Sequence, residues 1–252
     1  MSDGRVMAAR SLWAEAWRRL RRDRVAMLCL GVVSVYVLAG VLDFIPVPRS
    51  TGVGGTSARG PTVVDWIFSK LVGPTDKEES YAPPGTGRHL LGTDIQGVDV
   101  LYKAVKGART ALILGGLTAA IYIPLGLLFG VPAGYFGGLV DDAVVYIYST
   151  LACIPGILLL IALMSVMGKG LVQLCIAMGV TSWVGLCRLV RGETLKLREA
   201  DYVLAARAVG AGWPRILWRH IVPNLFHIVI ITFTLGFSQT VLSEAVLSYI
   251  GI

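Results

Sequence analysis

TALILGGLTAAIYIPLGLLFGVP, residues 110–132, contains no charged side chain. Wound as a helix at about 1.5 Å per residue, it covers the roughly 30 Å hydrocarbon layer of a bilayer. It must be a helix, because within lipid the backbone satisfies its own N–H and C=O groups only as helices or closed barrels, and the chain shows no ten-residue alternating pattern for a barrel. Four more runs read the same way, which gives five spans at about 25–44, 110–132, 143–167, 171–190 and 222–252. The expected fold is an all-α integral membrane protein, a polytopic helical bundle.

The composition agrees. Of 252 residues, 55% are hydrophobic and 15% charged, against about 25% charged in an ordinary globular chain, and the mean hydropathy is +0.69. Soluble enzymes, secreted disulfide scaffolds, fibres and disordered regulators are excluded. A net charge of +7 would suggest nucleic acid in a soluble protein, but here the basic residues crowd beside the apolar runs and set orientation. Cys29, Cys153, Cys175 and Cys187 all lie in apolar runs with no close pair and no neighbouring histidine, so they read as packing residues rather than as a disulfide framework or a metal site. Residues 25–42 are longer than a signal-peptide core and lack a small-x-small cleavage site, so they read as an uncleaved first span.

Orientation follows from the flanks. Arg5, Arg10, Arg18, Arg19, Arg21, Arg22 and Arg24 precede the first span, and Arg188, Arg191, Lys196, Arg198, Arg207, Arg215 and Arg219 lie in and beside the loop between the fourth and fifth. Both groups belong in the cytoplasm. The chain then divides into a cytoplasmic basic segment, 1–24, the first span, an extracytoplasmic lobe, 45–109, and a core, 110–252, with four spans and a cytoplasmic loop at about 191–221. The lobe is rich in Gly and Pro and is expected to be mostly irregular. In the N-terminal segment Leu12, Trp13, Ala16, Trp17 and Leu20 recur at helical spacing opposite Glu15, Arg18, Arg19 and Arg22, the pattern of an amphipathic helix lying on membrane lipid.

Gly126, Gly130, Gly134 and Gly138 repeat every fourth residue and bare one face for close helix packing; a solute path is the lesser reading. Pro124, Pro132 and Pro155 are expected to kink the spans. His227 and Glu244 are the ionisable residues of the fifth span, roughly 25 Å apart along it, too far to pair. Glu244 reads equally as part of a polar pathway or as a residue at the outer interface. Asp141 and Asp142 suit the start of a helix. No phosphate loop, GxSxG, HExxH or paired-carboxylate motif occurs, so no catalytic or metal-binding residue is assigned and the chain does not recognisably use ATP itself.

The loop segment READYVLAARAVGA, residues 198–211, encodes a short helix: Glu199 and Asp201 favour its N-terminus, good helix formers run to Val209, and Gly210 ends it. Tyr202, Ala206 and Val209 share one face, and Ala205, Ala206 and Ala208 leave room for another surface. Insertion into a partner's groove and an amphipathic linker on the membrane explain this pattern equally well.

With RHIVPN at residues 219–224, the segment resembles the EAA loop of binding-protein-dependent ABC importer permeases. HLLGTDIQGVDVL (89–101), AGYFGGLVDD (133–142), SWVGLCRLVRGETLKLRE (182–199) and LSEAVLSYIGI (242–252) resemble the dipeptide, oligopeptide and nickel branch of that family. The resemblance implies the type I ABC importer permease fold. It places Ala205, Ala206 and Gly210 in the EAA signature with Pro223 as its closing proline, and makes the segment a coupling helix that docks on a cytoplasmic ATPase. Leu204 stands where the family's name-giving glutamate would be, and Leu90 and Val98 stand where Pro and Arg are usual.

The expected partners are a paralogous permease, two ATPase subunits that would hold ATP and Mg, and an extracytoplasmic solute-binding protein, in the inner membrane with the N-terminus cytoplasmic. The cargo would be a short peptide or similar small solute. The family ordinarily has six spans where five are visible, from which lower stability alone than in a complex is expected. The rival is a non-transporting membrane scaffold with a permease-like fold. A self-powered transporter is weaker, since the spans hold almost no inward-facing charge.

Overall fold

The computed structural model describes residues 20–47, 62–71, 81–85 and 89–250. The expected amphipathic N-terminal helix lies almost wholly outside the described residues, which begin at Leu20. Helices carry nearly all of the described chain: α1 Arg24–Leu42, α2 Val63–Leu71, α3 Val100–Phe136, α4 Gly138–Ala152, α5 Gly156–Met167, α6 Leu171–Leu197, α7 Asp201–Ala208, α8 Trp213–Ile216 and α9 Phe226–Ile250. Among the described residues there are no strands, only two isolated bridges, Pro46 with Thr62 and Thr93 with Asp99. Among the described residues four helical stretches are long and apolar enough to cross a membrane, or five if a bent pair counts as one. The all-α polytopic expectation holds.

The bent pair corrects the third span. Residues 143–167, expected as one span with a kink at Pro155, are broken there into two helices, α4 and α5, that meet at 84°. Pro155, with φ −55° and ψ 122°, sits at the joint; it has no N–H to continue the ladder, and its ring disfavours helical geometry at the residue before it. Pro124 and Pro132 end no helix: each leaves out one N–H of the ladder, yet both sit inside the 37 residues of α3. The spans also outrun the apolar runs. α3 begins at Val100, where Asp99 Oδ1 accepts from the Tyr102 N–H at 3.0 Å, and α6 continues to Leu197.

The chain forms two compact units, Met1–Leu112 and Ile113–Ile252. In the first, α1 is capped by Asp23, whose carboxylate accepts from the Val25 and Ala26 N–H groups at 3.0 and 3.3 Å. Only Gly40 of α1 is buried; a Cβ there would lie 2.5 Å from the Leu112 side chain and 3.2 Å from the Ala108 carbonyl oxygen, so glycine is what lets α3 approach.

The lobe is less irregular than expected, because Val63–Leu71 folds as α2. A buried polar cluster fastens it. Thr62 Oγ1 donates to Asp43 Oδ1 at 2.5 Å, and the Thr62 N–H donates to Asp65 Oδ2 at 2.8 Å. Asp65 Oδ1 accepts from the Tyr102 hydroxyl and the Lys106 ammonium, each at 2.5 Å. Arg109 donates to the Asp43 carbonyl at 3.0 Å. Burial raises the Asp65 carboxyl's pKa, but the bonds from Lys106, Tyr102 and Thr62 outweigh it and hold the group below its ordinary value. Asp43 and Asp65 are both essentially inaccessible, so these partners are obligatory.

In the second unit α6 is the central helix, with Cys175, Ala177, Leu186, Cys187 and Val190 buried. One core cluster joins Trp183, Leu186 and Val190 of α6 to Tyr122 and Val131 of α3, Tyr148 of α4, and Val203, Ile216, Ile221 and Leu225 of the segment after α6. A second joins Leu174 and Met178 to Leu114, Leu160, Met164 and Leu247. Three of the four expected packing glycines explain the close fit. A Cβ at Gly126 would lie 2.8 Å from Leu186, one at Gly130 would lie 2.9 Å from the Cys187 carbonyl oxygen, and one at Gly134 would lie 2.7 Å from the Arg191 carbonyl oxygen. Gly179 of α6 returns the arrangement, its Cβ position lying 2.6 Å from Ile121. Gly138 is a correction: nothing lies within 4 Å of its Cβ position, and its φ of +53° marks it as part of the turn that opens α4.

Candidate functional site

The segment from Arg191 to Leu225 holds most of the residues singled out for function. α6 ends at Leu197, and the Glu199 and Ala200 N–H groups bond back to the Lys196 and Leu197 carbonyls at 3.2 and 3.1 Å. Glu199 therefore lies in the turn before the short helix rather than in it, and its carboxylate accepts from Arg198 Nε at 2.9 Å. α7 starts at Asp201, an exposed carboxylate in the first turn that suits the helix dipole. Val209 caps its end, and Gly210 follows with φ +85°, the left-handed geometry that glycine takes without strain.

Eight residues are too few to hold a helix alone in water. Val203 supplies the anchor: it is 0% exposed and joins Val190, Ile216, Ile221 and Leu225 in the core. Burying such a side chain is worth about 2 kcal/mol. Ala206, half-buried, flanks it. The opposite side shows Leu204, Ala205 and Ala208, with Leu204 43% exposed, and Val209 beyond them is 89% exposed. The expected Tyr202, Ala206 and Val209 face is therefore split, since Ala206 leans inward while Tyr202 and Val209 remain exposed. Val203, an apolar residue beside polar and small ones, is not singled out by the sequence; its helical register with Ala206 is the signal that places it on the inner face.

Further contacts hold the segment. Arg191 grips Asp141 with two parallel bonds, Nε to Oδ1 and Nη2 to Oδ2, the second at 2.6 Å. Asp141 thus has a specific partner 50 positions away, beyond the helix-start role read from sequence. Arg198 Nη1 reaches the Gly134 carbonyl at 3.4 Å, and the Arg207 guanidinium lies over the Tyr135 ring at 5.5 Å. After α8 the chain takes a π turn, Leu217–Ile221, and then a 3-10 turn, Val222–Leu225, which holds Pro223. Asn224 Nδ2 donates to the His220 carbonyl at 2.6 Å and to the Tyr202 hydroxyl at 3.2 Å. Glu244 lies apart from this cluster, half-buried in α9, and His227 is exposed near the start of that helix. Among the described residues no group of three or more His, Cys, Asp or Glu side chains is arranged to hold a metal ion.

A family profile described as binding-protein-dependent transport system inner membrane component matches residues 123–252, and one described as the N-terminal TM domain of oligopeptide transport permease C matches residues 11–53. The chain is 32% identical over 242 residues to the oligopeptide transport system permease protein OppC of Bacillus subtilis (strain 168), covering 96% of this chain and 72% of that protein. It is 33% identical over 239 residues to the dipeptide transport system permease protein DppC of the same organism, covering 94% and 68%. It is 32% identical over 249 residues to the glutathione transport system permease protein GsiD of Escherichia coli O6:K15:H31 (strain 536 / UPEC), covering 96% and 73%.

Proposed function

The chain belongs to the family of binding-protein-dependent transport system inner membrane components, as a transmembrane permease subunit of an ABC importer, and we propose that it passes short peptides received from an extracytoplasmic binding protein. The peptide assignment is supported by the oligopeptide and dipeptide permeases among its relatives. The chain is a gate whose driving energy enters from outside. Moving a two-state gate from 1:99 to 99:1 takes about 5.5 kcal/mol of differential binding, and the sequence holds no recognisable phosphate loop to supply it.

In this reading two cytoplasmic ATPases, which bind ATP and Mg, close and push on α7, and the solute moves between this chain and a paralogous permease. The N-terminus and the α6–α9 loop then face the cytoplasm. One observation carries the docking assignment: α7 is seated by Val203 while Leu204, Ala205, Ala208 and Val209 stand outward. Apolar side chains raised on a basic loop are what a partner's groove would take.

The test is charge insertion on that outer side. In the assembled importer reconstituted in liposomes, Ala208→Asp and Val209→Asp should each lower retention of the ATPase subunits and cut ATP-driven peptide uptake at least about tenfold, the factor that 1.4 kcal/mol of lost docking produces. Full uptake by both variants contradicts the assignment.

A further inference from the structure

α7 and α9 are joined in sequence by a link that is not one regular α-helix. Gly210, at φ +85°, follows the C-cap, and Gly212 precedes α8. The helical path then widens into the π turn at Leu217–Ile221 and tightens into the 3-10 turn at Val222–Leu225. Pro223 has no N–H, so the ladder into α9 is interrupted there. π turns inside helices recur at functional positions, and a break in the ladder is where a helix bends.

Tyr202 spans this interruption from the α7 side. Its ring lies 6.2 Å from the His220 ring within the π turn, and its hydroxyl accepts from Asn224 Nδ2 within the 3-10 turn at 3.2 Å. The Asn224 amide has two N–H donors, and its other bond, 2.6 Å to the His220 carbonyl, ties the two turns together. One side chain of α7 therefore touches both halves of the joint that leads into α9. Val203 holds α7 in place by burial, which is not directional. The Tyr202 contact is directional.

We propose that Tyr202 and Asn224 are positioning residues that form a pin carrying displacement of α7 into α9 across the π and 3-10 turns. This rests on the docking reading of α7. It gives the exposed Tyr202 a linking role within the chain and gives Asn224 a role.

The experiment uses the assembled importer in liposomes and compares Tyr202→Phe, Asn224→Ala and the double variant. Tyr202→Phe keeps the ring against His220 and removes only the hydroxyl. Retained ATPase subunit, ATP hydrolysed, and labelled peptide imported per ATP are measured together. Each single variant should keep its ATPase within twofold while peptide per ATP falls about fivefold, the shift that one lost hydrogen bond produces. The double variant should fall no further than Asn224→Ala alone, which already removes the shared bond together with the bond to the His220 carbonyl. An unchanged ratio in either single, additive losses in the double, or loss of ATPase retention in Tyr202→Phe overturns the pin. Failure of the docking reading shows separately, as full ATPase retention and uptake by Val209→Asp, which removes the premise and the pin with it.

Discussion

Replacing Val203 with Ala should loosen the seat of α7 without disturbing the spans. Val203 is 0% exposed and packs in the cluster that holds Val190, Ile216, Ile221 and Leu225. The substitution deletes two methyl groups, worth about 0.8 kcal/mol each in transfer, and leaves a small cavity, for about 2 kcal/mol in all. That shifts the equilibrium between seated and lifted helix about 30-fold. α7 has eight residues and no side-chain cap at its N-terminus, so beside Val203 the lifting is opposed by the exposed Tyr202–Asn224 bond and the Arg207–Tyr135 contact, which the substitution leaves in place. Amide hydrogen exchange in detergent reads this directly, since local opening sets the exchange rate. Amides of residues 203–209 should exchange about 30-fold faster in Val203→Ala, while those of residues 121–131 in α3 keep their wild-type rates. A change of less than about threefold in α7, or equal acceleration in both segments, would refute the anchoring role.

Gly130→Ala would place a methyl 2.9 Å from the Cys187 carbonyl oxygen and should cost about 1–3 kcal/mol by overpacking, whereas Gly107→Ala, with nothing within 4 Å, should match or exceed wild-type stability; paired detergent melts check the opposite signs. Arg191→Lys keeps the charge but not the two-pronged grip on Asp141, and should lose about 1–3 kcal/mol with little advantage over Arg191→Ala, read by the same melts. The Asp65 carboxyl has a depressed folded pKa, so its contribution is fully present above the unfolded value of about 3.9 and is lost as pH falls through the lower folded value. Limited proteolysis of the lobe should therefore be flat between about pH 5 and 8 and accelerate below about pH 4, and Asp65→Asn should be proteolysed faster at neutral pH and lose that acid step.

The spans were legible because a bilayer imposes a length and a polarity that few sequences meet by accident. The short helix α7 was legible from Asp201 through Gly210, where first-turn acid, helix formers and a terminating glycine agree. Three residues of the glycine ladder were legible for the same reason, a spacing with a single geometric meaning, while Gly138 kept the spacing but had already left the helix. A kink at Pro155 was legible but its size, 84°, was not: hydropathy runs straight through Pro155, and Pro124 and Pro132 show that a proline in a span does not by itself decide a break. α2 was hidden by its Gly- and Pro-rich surroundings, although VVDWIFSKL is amphipathic at helical spacing. The Arg191 grip on Asp141 and the joining of Asp43, Thr62, Asp65 and Lys106 depend on residues tens of positions apart, which one sequence does not pair. Val203 and Asn224 carry only a local signal, a helical register and a neighbouring proline, which does not name the residues they pack against or bond to.

The most direct test is peptide import itself. This chain would be reconstituted in liposomes with its partner permease and the ATPase subunits, with the binding protein outside and ATP inside, and accumulation of a labelled short peptide followed. Accumulation that requires ATP, the binding protein and this chain together is the predicted result. Uptake that proceeds without this chain or without ATP, or no uptake from an assembled complex that hydrolyses ATP, would contradict the account.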